Sequence, residues 1–302
     1  MAKRKLSQRE NEEKHAAREM TVAKRDDMMQ KARYSLSVQE YRCVLYAISR
    51  VKPDASFFDE YTFELKDFYA ICGLQKESYT ELKAILKGLR DRSWWVEIDD
   101  EGTESAISWF STVRTNKRSG KVTIEFHKDM VPFLLQLAKQ AKEQQLFYTQ
   151  YDLQYVLPMS SQFSPRLYEL LKSYQKNNRE WFFEIEELKR RLDCENYKNF
   201  NDFRNRALDP AIAEINEYTD INIAMDLVRE GRGGKVTRVI FYMAKKQSDA
   251  LQQTKVHLNE VLDGQVTMDE RMAMLQADTE SVKAKFMREN PVERKKRPSE
   301  GF

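Results

Sequence analysis

The sequence contains little glycine, cysteine or histidine. Of its 302 residues, 9 are glycine, 3 are cysteine and 3 are histidine. So few glycines argue against a glycine-rich nucleotide-binding enzyme. The cysteines lie far apart, without a C-x-x-C pair, and their odd number fits a reducing cytosol better than a disulfide framework. The histidines are isolated from one another, so the sequence predicts no metal site.

Long apolar runs are also absent. No segment approaches the roughly 18–20 consecutive apolar residues that a membrane span needs. The basic start, Met1–Lys5, is not followed by the apolar stretch of a signal peptide. We therefore expect a soluble cytoplasmic protein without a membrane partner. With 302 residues, 41% of them hydrophobic, the chain can build the cores of two ordinary domains.

No catalytic constellation is recognisable in the sequence. The segment Gly231–Val236 resembles a phosphate-binding loop only superficially, because it lacks the G-x-x-x-x-G-K-S/T spacing and lies in a predicted hairpin. The adjacent acids Asp26-Asp27 and Asp99-Asp100 are typical of surfaces and turns. No arrangement of Ser, His and Asp or of Cys and His suits nucleophilic catalysis. We expect no enzyme, no catalytic residue and no cofactor.

The pattern over residues 34–145 predicts a first winged helix. Ser37, with Glu40 three residues on, forms a capping box, which predicts the start of a helix. A strand, a short helix, a second helix and a β-ribbon follow, which is the order of elements in a winged helix. The strands are expected at 61–65, 94–98, 107–114 and 122–126, and the helices at 66–72 and around 79–89.

The same order of elements returns over residues 146–246. Phe63–Phe68 aligns with Phe183–Leu188, and two copies of about 110 residues indicate a tandem duplication rather than a solenoid. Pro210 lies inside a long helical region and lacks a backbone donor, so we expect a kink or a division there. The predicted fold is α+β and helix-rich, with two tandem winged-helix domains. The expected strands are 181–185, 221–228 and 236–243, and the expected helices begin near Pro165, Glu186 and Tyr197.

Charged segments flank the two predicted domains. Residues 1–33 have few large apolar side chains and are expected to form a loosely ordered or helical arm, with ordered structure beginning near Tyr34. Residues 247–302 are predicted to be a polar tail with one or two marginal helices, one of which could bind a partner. The link between the domains, 128–163, should be helical at Met130–Ala141.

The long helical region of the second domain carries the strongest functional signal. Its apolar residues recur at helical spacing and should pack on the domain, whereas Asn205 and Arg206 project to the other side. Arginine reads guanine and asparagine reads adenine in the major groove, which such a helix enters by its N-terminal part. A merely solvated helix face is the alternative. The apolar stripe is Phe200, Phe203, Ala207, Leu208, Ala211, Ile212 and Ile215, and the candidate DNA contacts are Lys198, Asn201, Arg204, Asn205 and Arg206.

A basic hairpin follows, in which one acid, Glu230, stands among several cations. Its glycines let the turn approach a DNA backbone closely. Such a tip suits phosphate or minor-groove contact, although basic residues also protect a sheet edge. The net charge of +3 alone would not indicate DNA binding, but helix and hairpin together favour it. The candidates are Arg229, Arg232, Lys235 and Arg238.

The first predicted domain contains a weaker copy of this arrangement. Basic residues lie along its second helix and at the turn of its ribbon. This half could bind DNA, form a dimer or do both. The candidates are Lys83, Lys87, Arg90, Lys117 and Arg118.

Five segments carry a resemblance to a known family: 197–216, 163–171 and 233–241 in the second half, and 36–41 and 131–134 in the first. They are similar to segments of the plasmid replication initiators of the Rep_3 family (RepA, RepB and RepE). The resemblance extends over both predicted domains, from residue 34 to residue 245.

The resemblance implies a function in replication. Such proteins bind repeated origin sequences (iterons) on double-stranded DNA, help to open the duplex and recruit a host initiator, helicase or primase, and their dimers often repress their own promoter. The first domain would carry the dimer interface, and the second would make the main base contacts, with Arg204 and Arg206 in its basic recognition segment. The family has no nuclease or polymerase chemistry. A transcription regulator without a replication role is the alternative; an enzyme such as a primase or rolling-circle nuclease is disfavoured.

Overall fold

The computed structural model describes residues 7–74, 78–99, 101–176, 178–232, 234–275, 283–284 and 286–288. It begins with helix α1 (Gln8–Arg18), strand β1 (Thr21–Arg25) and helix α2 (Asp26–Lys31). The arm is helical in part, one of the two predicted forms, but the prediction that ordered structure begins near Tyr34 is wrong, because Val22, Met28 and Met29 are fully buried. These apolar side chains are too few to form a core of their own, and they join one that later parts of the chain supply.

The first winged helix follows helix α3 (Val38–Ile48). The predicted capping box is confirmed: the Ser37 hydroxyl accepts the Glu40 amide at 3.3 Å, and the Glu40 carboxylate accepts the Ser37 amide at 2.9 Å. The remaining elements are β2 (Tyr61–Glu64), α4 (Leu65–Ile71), α5 (Tyr79–Asp91), β3 (Ser93–Glu97), β4 (Glu104–Ser108), β5 (Phe110–Asn116) and β6 (Lys121–Phe126).

The prediction of a single strand at 107–114 is wrong, because the strand is interrupted at Trp109. Strand β4 pairs with β3, whereas β5 pairs with β6, and β2 joins β6 to give a sheet of order β2-β6-β5. Ile107 and Phe110 are both buried, at 2% and 1% exposure. Residues three apart point to opposite faces of one continuous strand, and the interruption lets both of these side chains join one core.

The link between the winged helices is helix α6 (Val131–Leu134), helix α7 (Leu137–Gln144) and strand β7 (Tyr148–Asp152). The helix predicted at Met130–Ala141 is interrupted, since Gln136 has the left-handed φ of 52°. Strand β7 pairs with β1, so that the N-terminal segment is held by a strand that follows the first winged helix.

The second winged helix repeats the first. Its sheet has the order β8-β10-β9, so the strand that comes last in the chain lies between the other two, as β6 does in the sheet β2-β6-β5. This correspondence bears out the tandem duplication inferred from the sequence. The elements are α8 (Ser164–Gln175), β8 (Glu180–Glu184), α9 (Ile185–Arg191), α10 (Phe200–Phe203), a π-helical segment (Arg204–Leu208), α11 (Asp209–Tyr218), β9 (Ile221–Glu230) and β10 (Lys235–Lys245).

Two further helices, α12 (Ser248–Leu262) and α13 (Met268–Leu275), follow the second sheet. The prediction of one or two helices after residue 247 is confirmed, but α12 is not marginal, because its Leu258 is fully buried and its Leu262 is 5% exposed. Leu262 lies beside Gly73 of the first winged helix, and α12 also contacts α11 of the second. The basic run predicted near the C-terminus, 294–298, lies outside the described residues.

Helix α8 lies at the centre of the molecule and is buried on almost every side, charged residues included. Arg166 donates to the Met29 carbonyl at 2.7 Å, and its guanidinium lies 4.8 Å from the centre of the Tyr34 ring. The Glu169 carboxylate pairs with Lys24 at 2.5 Å. A helix with a polar side chain in the core needs such partners. None of the described helices combines the length and apolar character that a membrane crossing needs.

Candidate nucleic-acid interface

The predicted division of the long helical region is confirmed, and it takes the form of a π-helical segment at Arg204–Leu208. The Asp209 amide donates to the Arg204 carbonyl, five residues back, instead of to residue 205. Pro210 has no amide hydrogen, so an ordinary helical turn would leave a carbonyl without its donor. Asn199 begins the region by accepting the Asn201 amide at 2.8 Å.

The exposed face of this region, residues 198–206, is called the recognition segment. The predicted stripe is buried: Phe203, Ala207 and Leu208 have no exposed surface. Asn205 and Arg206 are exposed, as the sequence predicts. Lys198 and Asn201 are exposed as well, and among the described residues neither Lys198 nor Arg206 has an ion-pair partner.

Arg204 behaves differently from the rest of the recognition segment. Its Nε atom lies 3.2 Å from the Asp209 carboxylate, and its side chain is 32% exposed. The pair holds the guanidinium along the helix and offsets its charge. Arg204 is therefore a weaker candidate for base contact than Arg206, whose side chain is unconstrained within the described part of the chain.

The hairpin between β9 and β10 forms the wing. Gly231 and Gly234 have left-handed φ values of 74° and 59°, a backbone conformation that residues with a Cβ atom rarely adopt. Arg229 donates to the Gly234 carbonyl at 3.1 Å, which orders the turn. Arg232 and Lys235 are exposed at the tip. No other described residue pairs with either cation.

Glu230 is the one acid of the hairpin, as the sequence shows, but a second acid reaches the wing from a neighbouring strand. Arg238 pairs with Glu184 at 2.7 Å and lies 3.7 Å from Glu230. Glu184 belongs to strand β8, directly opposite Arg238 in the sheet register, far away in the sequence. Arg238 also lies over the Phe182 ring at 5.7 Å. Its charge is already compensated, which weakens it as a phosphate contact.

The cations of the first winged helix are compensated unequally. Lys87 and Arg90 share the Asp91 carboxylate, at 2.5 and 2.6 Å. Lys83 is exposed on the same helix without an ion-pair partner among the described residues. Lys117 and Arg118 are exposed at the turn between β5 and β6. Three of the five cations predicted for the first winged helix are thus exposed without an ion-pair partner among the described residues.

Sequence reasoning missed the junction that fixes the two winged helices to the N-terminal segment. Glu169 on α8 accepts the Tyr151 hydroxyl as well as Lys24. Burial, and then the neighbouring Glu169 carboxylate, raise the pKa of Tyr151 well above its usual value, so the phenol stays a donor. The sequence shows only isolated charged residues, such as Glu169, within the apolar pattern of α8, and this pattern does not indicate which distant residues they contact.

The described residues hold no group of His, Cys, Asp and Glu arranged for a metal ion. Cys43, Cys72 and Cys194 are free and buried. Burial raises the pKa of the Cys72 and Cys194 thiols to about 12, so neither is a reactive thiolate at neutral pH.

Comparison with known proteins identifies relatives of both halves. The family described as "Initiator Replication protein, WH1" matches residues 21–172, and the one described as "Initiator Rep protein, WH2" matches residues 184–243. A crystal structure of Pi initiator protein in complex with iteron DNA is similar, with 18% identity and a TM-score of 0.55, over 76% of this chain and 99% of that one. Domains 2 and 3 of RctB give 9% identity and a TM-score of 0.38, over 74% of this chain and 82% of that one, which is too low to bear on the fold.

Proposed function

The chain belongs to the family of initiator replication proteins, and on that premise we propose that it initiates plasmid replication by binding origin repeats (iterons) on double-stranded DNA. One observation carries the proposal. Apart from Arg204, the cations of the recognition segment have no ion-pair partner among the described residues, and neither have Arg232 and Lys235 at the wing tip. A solved structure with a similar fold is that of Pi initiator protein in complex with iteron DNA.

Recognition is divided between base edges and phosphates. Arg206 and Asn205 are suited to guanine and adenine in the major groove, and each such contact is worth about 1–3 kcal/mol of discrimination. Lys198 and Asn201 flank them at the start of the segment. Arg232 and Lys235 at the wing tip would contact the backbone, which sets register and affinity but carries little sequence information.

The first winged helix adds a second contact to the same duplex. Lys83, Lys117 and Arg118 supply its open charges. The same domain would also form the dimer that represses the protein's own promoter, and a host initiator, helicase or primase would be recruited once the origin opens. We place the boundary between the two domains at residues 145/146, in the link that contains α7 and β7, although the first family match extends to residue 172.

A transcription regulator built from the same two domains is the competing function. Winged helices serve regulators equally well, because a fold does not fix a function. A plasmid carrying only this gene and its flanking DNA separates the two: replication in a host supports the initiator, and a failure to replicate despite specific DNA binding supports the regulator. We assign no enzymatic activity.

The contact assignment is tested by footprinting the purified protein on the DNA flanking its gene, followed by titration of the protected duplex and of a random duplex. Arg206→Ala should weaken binding to the protected site roughly 5- to 150-fold and binding to random duplex much less. Lys235→Ala should weaken both and lower the salt slope by about one. Arg9→Ala, on the exposed α1 surface, is the control and should change neither.

Equal losses on both duplexes for Arg206→Ala would remove that residue from base recognition. Protection of evenly spaced direct repeats supports initiation, and the absence of any protected site would reject the proposed function as a whole.

A further inference from the structure

Two segments outside the family matches, α1 before residue 21 and α12 after residue 243, are joined to each other. The joint is Asp263, which ends α12. Its carboxylate lies 2.8 Å from Lys14 Nζ, 2.8 Å from Arg18 Nη1 and 3.0 Å from His15 Nε2, all on α1. Burial alone would raise the pKa of Asp263, but the close approach of these side chains lowers it below its usual value.

Arg18 extends the joint into the first winged helix. It is fully buried and donates to the Ile71 carbonyl at 2.9 Å and the Ala70 carbonyl at 3.1 Å, both on or at the end of α4. It also donates to Asn259 on α12 at 3.0 Å. A methyl group on Gly73, just after α4, would come within 2.6 Å of the Leu262 carbonyl, so the two backbones are in close contact.

The opposite side of α12 holds the second winged helix. His257 Nε2 lies 3.0 Å from the Glu217 carboxylate, and its ring stacks on Tyr218, both at the end of α11. On the α1 side of the same helix, Lys255 pairs with Asp152 of β7, in the link between the winged helices, at 2.9 Å and with Glu19 at 3.6 Å. Helix α11 continues directly from the recognition segment. A single helix therefore contacts α1 and the end of α4 on one side and the end of α11 on the other.

We propose that α12 is a clasp that fixes the distance and angle between the two DNA-binding units, and that Asp263 is a positioning residue for recognition of a composite site. The inference rests on the proposed function. A rigid connection makes the second contact effectively intramolecular only at the spacing the connection allows. The clasp would therefore set which spacing of two half-contacts on the duplex is bound.

The test measures spacing preference rather than affinity alone. The footprinted duplex is compared with derivatives that carry five extra base pairs at the centre of the protected site, which turns one half by about half a helical turn relative to the other. Insertion should lower the affinity of the wild-type protein for the duplex roughly tenfold or more. Asp263→Asn should bind the original site less tightly and lose less than about threefold in affinity on insertion, because α12 no longer restrains the spacing that the α8 junction alone leaves adjustable.

The matched control is Glu13→Gln, which removes an exposed carboxylate from α1 without touching α12 and should keep the wild-type spacing penalty. Lys255→Met removes the contact of α12 with β7 at a side chain that is 24% exposed and should also relax the penalty, so the test does not depend on the folding of one variant. A purely structural role would lower thermal stability and leave the spacing penalty unchanged; that outcome for both variants overturns the clasp. Wild-type protein that protects no site would instead overturn the proposed function.

Discussion

The buried pair between Lys24 and Glu169 offers the sharpest test of how the N-terminal segment is held. The Lys24 side chain is 1% exposed and that of Glu169 is not exposed at all, with 2.5 Å between Nζ and Oε1. Substituting Glu169→Gln keeps the shape and an acceptor for Tyr151 but removes the negative charge. Lys24 would then lie in the core without the carboxylate that compensates its charge.

Breaking a buried pair on one side costs about 3–5 kcal/mol of unfolding free energy, because the remaining charge has no compensation. Replacing both residues leaves no uncompensated charge in the core, so the double variant Lys24→Met with Glu169→Gln should recover most of the lost unfolding free energy. A loss of about 1 kcal/mol should remain, because the hydrogen bonds to the tyrosines are altered. The free energies are obtained from urea unfolding followed by circular dichroism and by tyrosine and tryptophan fluorescence.

The exposed pair between Lys87 and Asp91 is the comparison, with side chains 70% and 34% exposed. Lys87→Met should cost less than about 1 kcal/mol. The reasoning is refuted if Glu169→Gln costs no more than Lys87→Met, or if the double variant loses the sum of its two single losses, since either result means that the charges do not depend on each other.

Three further outcomes are expected. Gly73→Ala should lower unfolding free energy by about 2 kcal/mol or more, and Gly102→Ala by about 1 kcal/mol, because both have positive φ but only Gly73 would clash with Leu262; equal thermal shifts would contradict this. The pKa of Asp263 is lowered on folding, so the stabilisation from its carboxylate is complete above the unfolded pKa of 3.8 and is lost as the pH falls through the folded pKa. The difference in unfolding free energy between wild type and Asp263→Asn should therefore shrink as the pH is lowered below 3.8, and a difference that stays constant would contradict this reasoning. The buried thiols should not react with a disulfide reagent at pH 8 in native protein and should react fully in denaturant; rapid labelling of native protein would show that Cys72 or Cys194 is accessible.

Local patterns predict much of the fold because local physics determines them. The capping box at Ser37, the apolar stripe through Phe203 and Ala207, and the alternating strands of the wing each depend on neighbours within a few residues. The duplication is visible for the same reason. Two copies of one pattern give two sheets of one strand order.

The errors concern contacts between distant residues. Thr21 pairs with Asp152, so the order of the N-terminal segment depends on a strand that composition near residue 21 does not reveal. Of the candidate contacts, Arg238 is paired through the sheet register with Glu184, and Lys87 and Arg90 share Asp91. The sequence identifies the cations, but only the fold reveals which of them are already neutralised.

The π-helical turn at Arg204–Leu208 makes chain length there as important as composition. The wider turn holds one residue more than an α-helical turn, and the helices on its two sides continue along the same course. Deleting one of these 5 residues would return the turn to α-helical geometry, so that Phe203 stays packed while Asn205 and Arg206 change direction relative to it. A loss of one codon there would thus change which side chains face the DNA without unpacking the domain.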